Sequence, residues 1–157
     1  MVLAAVPLDA EGFAPFGDAF AAPATPARHY AEAALANARP GARPSFSVIL
    51  RPPVASLPVI ARRMERHQFS SQSFVPMGPG RFVVMVAPHA AAGGPDMAAA
   101  RAFIAGPGQG VTYGADVWHH ELTVLDAPLA FGIFMWRDGS AGDEEFVDIA
   151  PTEIAIR

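Results

Sequence analysis

The chain has 157 residues, a formal charge of −4 and 52% hydrophobic content, enough for one domain (1–157) with a substantial core. It has no cysteine, which excludes disulfides, thiolate metal sites and cysteine nucleophiles, and all 11 basic residues are arginine, which excludes a lysine Schiff base. The acidic balance and scattered arginines argue against a nucleic-acid partner, and no apolar run approaches the roughly 18 residues of a membrane span.

The first residues, MVLAAVPLDAEGF, lack a basic leader region and bring Asp9 and Glu11 early, which predicts a cytoplasmic protein. Residues 21–44 are rich in Ala and Pro and read as a loop, although ARHYAEAALANA at 27–38 has the alanine content of a helix. Short β-rich runs follow at 45–51, 57–67, 73–77 and 81–87. A second helical expectation falls on PDMAAARAFIA at 95–105, which opens with Pro and Asp. Further strands are expected at 110–113, 121–125, 130–136 and 145–149, with glycine turns at 78–80, 106–110 and 137–143. Sixteen prolines and 14 glycines between such runs predict a mainly β sandwich or barrel with one or two short helices.

Residues able to do chemistry gather in two stretches. The first is ERHQFSSQSFVPM at 65–77, where His67 ends a strand and Gln72 follows five residues later. The second is GVTYGADVWHHELTV at 110–124, where a glycine turn leads to Trp118, His119 and His120. Side chains alternate along a strand, so His119 is expected in a cavity and His120 at its edge or in a subunit contact. His67 taken alone is a strand-end histidine bonded to backbone; the second stretch tips it toward a site. Gln72 serves either a pocket or buried backbone groups. His29 and His89 are expected at the surface, Trp118 and Tyr113 in the core or a pocket wall. Arg51 and Arg137 are candidate anion clamps, since guanidinium binds a carboxylate through two parallel hydrogen bonds. The arginine cluster ARRMERH at 61–67, which includes Glu65, reads as a solvated face.

A histidine with polar partners, followed by a glycine turn and another histidine, resembles the two cupin motifs, which place such side chains in a barrel mouth. Glu65, His67, Gln72 and His119 fall at the metal-ligand positions of those motifs. Neutral glutamine is a poor ligand for a divalent ion, so the resemblance implies no certain cofactor and at most a loosely bound divalent metal. The two stretches, together with RFVVMVAP at 81–88, RAFIAGPGQG at 101–110 and FAPFGDAF at 13–20, resemble the ureidoglycolate lyase family from residue 11 to about 151. That resemblance implies a cupin-like double-stranded β-helix barrel, a homodimer, and cleavage of (S)-ureidoglycolate to glyoxylate and urea in allantoin and purine catabolism. It implies His67, His119 and His120 as catalytic residues, with Arg51, Gln72 and Arg137 holding a small-molecule substrate. The chain departs from the family pattern at Gln68 and Glu121, where the family has proline, and at Trp136, where it has Asp. The alternative is a divergent cupin that acts on or senses another small carboxylic acid.

Overall fold

The computed structural model describes residues 1–156, with twelve strands and one four-residue helix among them. The first six strands are β1 (Val2–Pro7), β2 (Gly17–Ala21), β3 (Arg43–Arg51), β4 (Val59–His67), β5 (Gln72–Pro76) and β6 (Phe82–Ala87). The rest are β7 (Arg101–Ala105), β8 (Gln109–Tyr113), β9 (Trp118–His119), β10 (Thr123–Val124), β11 (Leu129–Arg137) and β12 (Glu144–Ala155). The helix α1, Ala10–Phe13, is capped by Asp9, whose carboxylate accepts from the Gly12 N–H at 2.8 Å. It is far too short to cross a membrane, and no other helix is described.

Every strand expected from the sequence is present, and both helical expectations are corrected. Residues 27–38 are irregular: Ala34 and Ala36 donate to the side chains of Asp18 and Ser71, and Ala38 to the Phe69 carbonyl. At 95–105 the Pro-Asp start yields only a turn, with Asp96 accepting from Ala98 and Ala99, before the chain enters β7. There β7 is flanked by β1 and β6, and pairing on both edges outweighs alanine's modest helix preference.

One sheet has the order β10-β6-β7-β1-β12-β4-β9, and a further β6–β9 pairing closes six of its strands into a ring. Inside lie Val59, Ala61, Met64, Met85, Trp118 and Ile154. The second sheet, β2-β8-β5-β11-β3, covers one outer wall of the ring. Phe74, Phe82, Val84, Phe103, Val111 and Phe131 fill the space between the two sheets. Strand β6 is buried on both faces, which explains its unbroken apolar run. Each fully buried large side chain contributes roughly 1.5–3 kcal/mol, and this cupin-like barrel is held mainly by those two cores.

One irregularity decides the site. Asp148 of β12 pairs with Arg63 but Thr152 pairs with Ala61, so the two strands slip relative to each other. On β4 the consecutive Arg62 and Arg63 are both exposed, after buried Val59 and Ala61 and before buried Met64. The slip keeps Met64 in the ring's core and turns Glu65 and His67 to the opposite face.

Candidate active site

Glu65 and His67 stand two residues apart on β4, and Glu65 pairs directly with His119 of β9. One ligating atom from each of the three lies within 4.8 Å of the others. His67 Nε2 is 3.3 Å from Glu65 Oε1, and His119 Nε2 is 3.8 Å from Glu65 Oε2. Both histidine side chains are buried, at 2% and 3% exposure, while Glu65 keeps 21% and opens to solvent. His67 Nδ1 and Nε2 and His119 Nε2 have no hydrogen-bond partner.

Burial lowers the His119 pKa to about 4, against the smaller opposing pull of Glu65. The ring is therefore neutral at pH 7. Its Nδ1 lies 3.2 Å from the Val117 carbonyl, which can only accept, so the ring proton sits on Nδ1 and Nε2 presents a lone pair. Burial pushes Glu65 up, but the neighbouring His67 and His119 outweigh it and hold the carboxyl below its ordinary value. A lone pair and a carboxylate thus face each other with nothing between them to share. Such a pair calls for a cation or a proton donor.

The surroundings hold this group in place. Tyr113 stacks on His119 with centroids 4.2 Å apart, and burial, aided by the Glu65 charge, raises its phenol's pKa and keeps it protonated. Gln72 pairs with Tyr113 across β5 and β8, with its carbonyl oxygen buried and unpartnered. Asp143, in the turn before β12, accepts from Phe69 N–H and the Ser70 hydroxyl and forms an ion pair with Arg39 at 3.2 Å, and its carboxylate is 3.9 Å from His67 Nδ1.

Arg137 shares a narrow cleft of about 40 Å³ with His67, Met135 and Asp143, room for a few waters only. A larger groove of about 400 Å³ opens from Glu65 past Arg62, Arg63, Phe146 and Asp148. Arg51 is not brought to this group. It pairs with Leu129, while Arg137 pairs with Arg43 at the other end of the same strand pair, a separation of roughly 26 Å at 3.3 Å per residue. His120 is buried too, but its Nδ1 meets the Arg63 carbonyl at 3.2 Å instead of the cavity. Glu65, read from its arginine-rich surroundings as part of a solvated face and from the motif resemblance as a ligand position, is the hub of the group. Asp143 carried no signal, because it reaches His67 from a distant turn.

A family model described as Ureidoglycolate lyase matches residues 1–154. The ureidoglycolate lyase of Mesorhizobium japonicum is 37% identical over 154 residues, covering 92% of this chain and 91% of the relative. That of Burkholderia cepacia is 40% identical over 136 residues, covering 80% and 75%. That of Brucella melitensis is 36% identical over 128 residues, covering 76% and 74%. With a matching barrel and both motif stretches meeting in one buried group, the chain belongs to the ureidoglycolate lyase family.

Proposed function

We propose that this chain cleaves ureidoglycolate to glyoxylate and urea by acid–base chemistry at Glu65, His67 and His119. The substrate carbon bears a hydroxyl, a carboxylate and the ureido nitrogen. The neutral His119 Nε2 takes the hydroxyl proton, the oxygen's electrons close the carbonyl, and the C–N pair leaves with nitrogen. His67, set between the Glu65 and Asp143 carboxylates, is placed to return a proton to that nitrogen. No covalent intermediate is needed, which suits a chain without Cys or Lys. The groove beside Glu65 has the room for a small acid, and Arg63, otherwise paired with Asp148 at 3.0 Å, takes the anchoring role expected of Arg51, while Arg137 closes the His67 side.

Glu65, His67 and His119 also fit a divalent ion: a carboxylate oxygen and two imidazole nitrogens converge, and the nitrogens lack other partners. Such an ion, when bound, lowers the pKa of a hydroxyl it contacts.

The observation that carries this reading is the buried His119 lone pair facing Glu65, whose carboxylate reaches the groove. Incubation with racemic ureidoglycolate is expected to release glyoxylate and urea in equal amounts from one enantiomer. Saturable binding without either product would identify a small-acid sensor instead.

The same reading includes a homodimer formed through the outer face of the five-stranded sheet. On edge strand β3, alternate residues Phe46, Val48 and Leu50 point outward with 66%, 59% and 66% exposure, beside exposed Val75 and Met77. An apolar edge of this kind invites association, and two-fold dimers are the commonest solution. Light scattering is expected to give a dimer mass for the native chain and a monomer mass for Val48→Arg. A native monomer across micromolar concentrations contradicts the assignment.

A further inference from the structure

The residues that flank the site histidines turn to the opposite face. Arg66 lies between Glu65 and His67, and Trp118 directly precedes His119. On that face the Arg66 guanidinium sits 4.9 Å over the Trp118 ring. It donates to Glu145 on β12 and to Asp116 in the loop before β9, and its Nη1 is 2.7 Å from His89 Nδ1. The Trp118 indole N–H donates to the same His89 nitrogen at 3.0 Å, and the two rings stack within 12° of parallel. Two donors on one imidazole nitrogen require a lone pair there, so His89 is neutral with its proton on Nε2. Asp116 adds a backbone tie: at a φ of 68°, its N–H donates to the His67 carbonyl at 2.8 Å.

Strand β9 needs such support. It is two residues long and shares one register pair with β4 and two with β6. A one-residue slip would exchange the faces of Trp118 and His119 and empty the site of its base.

We infer that Arg66, Trp118 and His89 form a clamp on the back of the sheet that positions His67 and His119 against Glu65. This rests on the acid–base reading of that group, and it makes the three positioning residues. His89 closes the clamp from the surface, where it is exposed while Trp118 beneath it is fully buried. Its replacement therefore leaves both cores intact.

The test compares His89→Ala with His89→Asn, whose side-chain oxygen restores a fixed acceptor. His89→Ala is expected to lower kcat about 10- to 100-fold, the range for loss of a supporting partner, with little change in KM. His89→Asn is expected to recover most of that loss. Site geometry is read apart from turnover by the ¹H–¹⁵N correlations of the His67 and His119 rings and of the Trp118 indole, the last assigned with Trp136→Phe. All three signals move in His89→Ala and return toward native positions in His89→Asn. If the indole signal moves while the histidine signals and kcat hold, the clamp does not position the site and the inference is overturned. An equal loss in both variants, tracking a lower Tm, overturns it as well. If the native protein has no lyase activity but the ring signals respond as expected, the clamp stands and the assigned reaction falls.

Discussion

His119→Ala is expected to lower turnover roughly 100-fold or more, and His67→Ala to a similar degree, the scale of a lost general acid or base. Each variant removes one of two buried imidazoles on the Glu65 carboxylate and leaves it with only the other of the two neighbours that hold its pKa down. Because His119 already has the tautomer and charge of a base, its loss should appear in kcat and kcat/KM together, the pattern of an interaction made in the transition state. His120→Ala is expected to be milder in kcat and to cost stability, since that ring is buried against the Arg63 carbonyl away from Glu65. Steady-state kinetics on the three variants, with melting curves, checks this. An inactive His120→Ala beside an active His119→Ala would reverse the roles of the pair. Full activity in all three would make the histidines structural.

The β runs could be read because burial on both faces leaves a local trace, the uninterrupted FVVMVA of β6, and because β-prone residues mark a strand even where they are exposed, as in FSVIL of β3. Strands β1, β2 and β9 left less, being short or partnered only by distant segments. The alanines of 95–105 misled because in this composition they report economy of side chain more than helix. The two site stretches were legible as motifs, and alternation placed His119 on one face and His120 off it. What could not be read was register. The slip opposite Arg62 and Arg63 decides which way Glu65 points, and the β3–β11 pairing decides that Arg51 and Arg137 lie at opposite ends. Both are set by partners some 80 residues away in sequence, and no local pattern carries them. His89 illustrates the same limit: a histidine in an exposed loop that the fold seats on Trp118 and Arg66.

Between pH 6.5 and pH 4 the protein is expected to lose about 3 kcal/mol of stability through His119 alone. Folding buries this ring and lowers its pKa from 6.5 to about 4. Below pH 6.5 the unfolded chain therefore takes up a proton that the folded chain does not. Stability falls as the pH falls, and the loss levels off once the folded ring also protonates below about pH 4. Glu65, held below its ordinary 4.5, acts in the same direction but lower on the scale, so it steepens the acid end without displacing the upper onset. Urea unfolding of the native chain and of His119→Gln at pH 7, 5.5 and 4 isolates the effect. The variant's stability should depend less on pH across this window, by about the same 3 kcal/mol; parallel curves would show that His119 titrates as freely in the fold as out of it. The enzymatic counterpart is a base that stays deprotonated well below the range of an ordinary histidine. Lyase activity at pH 5.5 should then be limited by the falling stability of the fold and not by protonation of His119.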